Sequence, residues 1–216
     1  CSFLGEWCEN CSGRGGIYNR KTMSKLRLAI TGNIGCGKSV VSRMLSIMGV
    51  PVYDCDSRAK SLMQSDEAIK RSLVRMFGEE CYNADGSLNR EHLAGCIFID
   101  SDNVKRVNAL VHPRVKEDFA AWASAEKSDV VAVESAILYE SGMIDVVDKV
   151  LLVWADEETA IKRVTGSRKM SRQQVVSRLQ NQMSADELLI LSDYSLRNDD
   201  DTPILPQLIE IMEQLH

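Results

Sequence analysis

The sequence has no long apolar run: nowhere do the roughly 18 consecutive apolar residues needed to cross a bilayer occur. Its amino-terminal stretch also lacks a basic head followed by an apolar core, the pattern of an export signal. An excess of positive charge is missing as well. With 26 Lys and Arg against 31 Asp and Glu, the net charge is -5, so a protein that coats nucleic acid is not expected. Cys8 and Cys11 form a CxxC, but no second ligand pair follows at a suitable spacing, and a structural zinc site is not expected. The seven cysteines are odd in number, and Cys36, Cys55, Cys81 and Cys96 are scattered through ordinary segments. Reduced thiols in a cytoplasmic protein fit that pattern better than a disulfide framework.

What is present suits one α/β unit. At 216 residues and 44% hydrophobic, the chain can bury one substantial core with small inserted subdomains. Residues 1–22 are rich in Gly, Cys and polar groups without hydrophobic periodicity and read as a disordered extension, with Met23 a candidate start. LRLAIT (26–31) is a short apolar run that stops at Gly32, as a buried parallel strand does. Residues 37–48 carry Val40, Val41, Met44, Leu45 and Met48 at helical spacing. A second strand is expected over 50–53. Helical patterns then dominate, clearest at 66–77, 90–99 and 113–125. Strand signals return at 129–133, 149–154 and 194–196. Ser171 with Gln174 and Ser184 with Glu187 match capping boxes, and Thr202 and Pro203 are expected to open a last helix. The expected organisation is a parallel-sheet core of 23–56 and 128–216, a helical insertion at 57–127, and a lid at 160–183 within the core.

The chemistry concentrates in three places. GNIGCGKS fits GxxxxGK[ST] and lies between an expected strand and an expected helix, the setting of a phosphate-binding loop. Gly32, Asn33, Ile34, Gly35, Cys36, Gly37, Lys38, Ser39 and the following Val40 are the candidate ATP-binding residues. In this reading backbone N–H groups face the phosphates, Lys38 neutralises the β and γ groups, and Ser39 is a magnesium ligand. Asp54 and Asp56 form a D-x-D at the carboxyl end of the second strand, where alternation puts both carboxylates on one side. Asp56 is the candidate base for an acceptor hydroxyl, and Asp54 the candidate for the metal and the substrate side; the alternative is a helix cap. Residues 162–182 contain six Lys or Arg and no Asp or Glu, which suggests a lid closing over phosphate, with Arg163 and Arg168 as candidate catalytic arginines. From spacing alone, His112 before Pro113 reads as a polar residue at a helix start.

Beside the loop stand GVPVYDCD (49–56), DGSLNREHLA (85–94), VNALVHPRV (107–115), AILYESG (136–142) and SDYSLRND (192–199). In this order they resemble the dephospho-CoA kinase family, over residues 26 to about 215. The resemblance implies a P-loop kinase core, a helical CoA-binding insertion and a lid, with ATP and magnesium, and dephospho-CoA phosphorylated on its ribose 3′-hydroxyl. Asp56 matches the family's proposed base. Arg90, His112, Pro113 and Glu140 match positions near the acceptor, and Asn198 falls near the adenine of ATP. The sequence departs from the family pattern in Val40 where Thr is usual, Asn89 for Asp, Ala160 for Gln, and Ser167 at the usual lid-arginine position. A shikimate kinase would carry a Gly-Gly-Gly acceptor loop, and a GTP-binding switch would carry N-K-x-D and D-x-x-G; none of these strings occurs. A monomer or weak oligomer is expected.

Overall fold

The computed structural model describes residues 25–167 and 170–215; the expected extension 1–22 and Arg168 lie outside the described residues. Strand β1 (Leu26–Thr31) is the centre of a five-stranded sheet that also contains β2 (Val52–Asp54), β3 (Val130–Glu134), β4 (Lys149–Trp154) and β5 (Tyr194–Arg197). The order is β2-β3-β1-β4-β5 and every pair is parallel. The central strands are apolar along their length because both faces are covered, and the two-residue period of a strand divides them. Leu28, Ile30, Val130, Ala132, Leu151 and Val153 pack on one face with Val41 and Leu45 of α1 (Lys38–Ile47) and Leu208 of α9 (Ile204–Gln214). Ala29, Val131, Val133 and Val150 pack on the other face against the helices that follow β2.

Those helices are α2 (Cys55–Ser65), α3 (Glu67–Phe77), α4 (Arg90–Ile99) and α5 (Ser101–Ala125). Each has a side-chain cap from the residue before it: Asp54, Asp66, Asn89 and Asp100. Asn and Asp cap about equally well, so Asn89 keeps the local function that an Asp would have there. The helix expected to begin at Pro113 begins at Ser101 instead, and Pro113 lies inside it. An interior proline removes one hydrogen bond and costs about 3 kcal/mol. The reason the helix runs through is an unbroken stripe: Val107, Val111, Val115, Phe119 and Ala123 recur every fourth residue and are all buried. Fully burying each of the larger members contributes roughly 1.5–3 kcal/mol, so the stripe outweighs the single break.

On the carboxyl side of the sheet, α6 (Glu157–Ser167), α7 (Arg172–Gln180) and α8 (Ala185–Leu191) follow β4. Both expected capping boxes, Ser171 with Gln174 and Ser184 with Glu187, are formed. Helix α9 starts after Pro203, which stands at the cap position and makes no side-chain cap bond. No helix among the described residues is long and apolar enough to cross a membrane.

Phe119 is fully buried, with its ring centroid 5.2 Å from that of Tyr53. Phe119→Ala is expected to cost about 3–5 kcal/mol of unfolding free energy. Ile47→Ala, at a side chain 80% exposed, is expected to stay within about 0.5 kcal/mol. Urea denaturation of both variants checks the pair, and similar losses would contradict this core assignment.

Candidate active site

Strand β1 ends at Thr31 and delivers the chain into a loop squeezed between the ends of β4 and β5. A Cβ at Gly32 would lie 2.0 Å from the Val153 carbonyl oxygen, and one at Gly37 would lie 2.1 Å from Asn198 Nδ2. Gly37 also has φ 89°, the left-handed conformation that side chains resist, and it forms the start of α1 without a side-chain cap. The loop therefore needs glycine there on two independent grounds. Among the described residues, the N–H groups of Gly35, Gly37 and Ser39 have no protein acceptor. Three free donors at the positive end of a helix suit a phosphate. Lys38 Nζ lies over the loop and donates to the carbonyls of Gly32 at 2.7 Å and Asn33 at 3.2 Å. Ser39 and Val40 are exposed at the mouth, Val40 by 48%.

The loop is braced from behind. Asn198 is buried, its Nδ2 donating to the Cys36 carbonyl at 2.8 Å and its N–H to the Trp154 carbonyl at 2.8 Å. Arg163 on α6 donates to the Asn198 carbonyl at 2.8 Å and pairs with Asp200 at 3.1 Å. Asn198 thus has its amide committed to the loop.

A cavity of about 450 Å³ opens in front of the loop, lined by Lys38, Ser39, Asp56, Glu134, Arg163 and Arg178. A second cavity of about 190 Å³ lies on the insertion side, lined by Ala59, Met63, Val107, Asn108 and His112 among others. Asp56 lines both. Burial first, and the Lys116 charge second, hold the His112 imidazole below its usual range, so it faces the second cavity as a neutral group. Burial pushes the Cys55 thiol up to about 12 and also raises Cys36. Neither thiol is a nucleophile at neutral pH.

The expected arrangement of the D-x-D is corrected. Strand β2 stops at Asp54, so strand alternation does not extend to Asp56, which lies in the first turn of α2. Asp54 is the cap: its carboxylate accepts from Asp56 N–H at 3.0 Å, Ser57 N–H at 3.2 Å and the Ser57 hydroxyl at 2.5 Å. It lines neither cavity. The carboxylate that accompanies Asp56 there is Glu134, at the end of β3 and level with Asp54 in the β2–β3 pairing. Its signal in the sequence was an apolar run, VVAV, ending on an acid, the pattern of a Walker-B strand.

Arg90, Pro113 and Glu140 are exposed and line neither cavity. Ser167 lines the first cavity, as does Arg178, which the basic segment contained without distinguishing it from its neighbours. Arg172, by contrast, is paired with Glu158 on the surface. No group of three or more metal-ligating side chains exists among the described residues. Magnesium in phosphoryl-transfer sites needs only one or two protein ligands, the phosphates and water supplying the rest. Ser39 and Glu134 in one cavity fit that requirement.

Residues 26–203 match the family model of dephospho-CoA kinase (CoaE). A relative named dephospho-CoA kinase from Bacteroides fragilis (strain YCH46) is 38% identical over 192 residues, covering 88% of this chain and 93% of its own. The solved structure of TT1252 from Thermus thermophilus aligns with a TM-score of 0.74 at 31% identity, over 88% of this chain and 95% of that one. Dephospho-CoA kinase from Campylobacter jejuni aligns with a TM-score of 0.66 over 88% of this chain and 96% of that one; at 18% identity it supports the fold alone. The chain belongs to the dephospho-CoA kinase family and transfers a phosphoryl group from ATP to dephospho-CoA in coenzyme A biosynthesis.

Proposed function

We propose that Asp56 is the general base of this transfer, taking the proton of the ribose 3′-hydroxyl of dephospho-CoA as that oxygen attacks the γ-phosphorus of ATP. The observation that carries this is its position: it is the ionisable side chain common to the phosphate cavity and the insertion-side cavity. ATP lies with its phosphates on the loop N–H groups. Lys38 releases the Gly32 and Asn33 carbonyls to meet the β and γ groups. The acceptor enters the second cavity between α2 and α5, where Asn108, His112, Ser135 and Ser141 offer hydrogen bonds among apolar side chains such as Met63, Val107 and Val111. As the new O–P bond forms, the bond to the β-phosphate oxygen breaks and ADP leaves.

Ser39 and Glu134 would hold magnesium, which would supply neutralisation of the phosphate charge. The negative charge spread over the transferring group is met by Arg163 and Arg178, with Arg168 on the same lid segment a third candidate. Asn198 supports ATP binding by holding the loop in shape. Free Cys36, Cys55, Cys81 and Cys96 support a reducing, cytoplasmic location.

Asp56→Asn is expected to lower kcat on the order of 10² to 10⁴-fold, with nucleotide affinity and Tm retained. Asp54→Asn keeps a good cap and is expected to turn over near the wild-type rate, while Asp54→Ala loses about 1 kcal/mol of stability. Steady-state kinetics with ATP and dephospho-CoA, and thermal melts, check all three. Near-normal turnover by Asp56→Asn would require a base elsewhere.

Glu134→Gln is expected to raise the magnesium concentration needed for half-maximal rate, and Lys38→Ala to leave almost no transfer. Titrating magnesium at saturating ATP tests the first. An unchanged magnesium requirement would remove Glu134 from the metal.

A further inference from the structure

The smallest apolar cluster joins the phosphate loop to the lid rather than to the sheet. Ile34 of the loop is buried with Ile161 and Val164 of α6 and Val175 of α7. Helix α6 approaches so closely that a Cβ at Gly35 would lie 2.6 Å from the Ala160 carbonyl oxygen. Across the same junction the Ile34 N–H donates to Gln182 Oε1 at 2.9 Å. Among the described residues this is the one hydrogen bond between residues 32–39 and residues 157–191. Gln182 lies one residue beyond the C-cap Asn181 of α7, and its own N–H donates to the Leu179 carbonyl at 3.1 Å, which continues the last turn of that helix. Its side-chain acceptor is therefore fixed to the axis of the helix that carries Arg178 into the nucleotide cavity.

An apolar contact is non-directional and lets one surface slide on another. A hydrogen bond weakens steeply as its angle departs from linear, so it sets register where the apolar cluster does not. The donor is a backbone N–H of the loop itself, so the lid is aligned to the same backbone that holds the phosphates.

We infer that Gln182 is a positioning residue for phosphoryl transfer: its side-chain carbonyl locks α7 in register with the phosphate loop and so aims Arg178 at the transferring group. This rests on the role proposed above for Arg178. A misplacement of about 1 Å at a reacting centre can cost on the order of 10²-fold in rate; the lock prevents displacements of that size.

The test is a double-mutant cycle on the full chain with ATP, magnesium and dephospho-CoA, reading kcat, the KM for ATP, and Tm. Gln182→Met keeps the length of the side chain and removes the acceptor. It is expected to lower kcat between about 10- and 100-fold and to change the KM for ATP much less, because Lys38 and the loop N–H groups stay in place even though Gln182 also lines the nucleotide cavity. In an Arg178→Ala background the same substitution is expected to have almost no further effect, the non-additivity of residues acting through one group. If Gln182→Met melts below the assay temperature, Gln182→Asn, one methylene shorter, carries the same cycle. Unchanged kcat in the Gln182 variant while Arg178→Ala is impaired overturns the lock alone. Equal losses in both backgrounds overturn it too, since a merely structural role would be additive. Wild-type kcat in Arg178→Ala overturns the arginine reading on which the lock depends.

Discussion

The hydrogen bond from the buried Asn198 amide to the Cys36 carbonyl, 2.8 Å long and made through the space left by Gly37, holds the phosphate loop in its working shape. A buried carbonyl that loses its partner costs roughly 1–3 kcal/mol, so the loop has a strong reason to keep this carbonyl turned inward. Turning carbonyls inward turns the following N–H groups outward, toward the cavity. The same asparagine ties the exit of β5 to Trp154 at the end of β4, and its own carbonyl anchors Arg163. With Val153 closing on Gly32, the loop is formed by the ends of strands that stand side by side only because β4 and β5 follow β1 in the sheet order. The cradle is a property of the sheet edge as much as of the glycines.

How much of this could be read from the sequence follows from how local each feature is. The strand, the glycine loop and the start of α1 are written in fourteen contiguous positions or so, each with its own turn or period requirement, and the caps Ser171 and Ser184 need only three residues of context. The division between Asp54 and Asp56 was not legible, because it turns on whether β2 ends one residue earlier or later. Period-two reasoning carried past the strand end gave the wrong geometry. The long helix α5 was hidden by Pro113, whose local cost is overridden by a stripe that is buried only through tertiary packing. Glu134 belongs to the site because β3 lies between β1 and β2, a non-local pairing that no window along the chain contains. Arg178 and Arg172 look alike in sequence; what separates them is that Arg172 meets Glu158 while Arg178 faces the cavity.

The helix that carries Asp56 is fastened to α5 by a network of side chains. Tyr53 is buried against Phe119 and Trp122, ring centroids 5.2 and 5.3 Å away, and its hydroxyl donates to Asp118 at 2.5 Å. Asp118 in turn takes both Nε and Nη2 of Arg58, at 2.9 and 2.8 Å, so the first turn of α2 is tied to α5. Cys55 is buried in the same cluster. With Tyr53 and Cys55 both fixed in the core, Asp56 has little freedom to leave the junction of the two cavities, and Asp54 completes the constraint from the other side by capping the helix. The segment 160–183 is anchored instead to the phosphate loop and the exit of β5, through Arg163 with the Asn198 carbonyl and Asp200, and through the Ile34 N–H with Gln182. Its apolar residues meet the rest of the protein mainly through Ile34, in a cluster separate from the two that pack on the sheet. A base must be within hydrogen-bond reach of its proton before transfer begins, whereas the arginines are needed only once charge develops on the phosphoryl group. In the mechanism proposed above, the base stands on a helix tied to α5 and the acceptor pocket, while Arg163 and Arg178 stand on a segment tied to the phosphate loop and the exit of β5, so each group is registered to the substrate it serves.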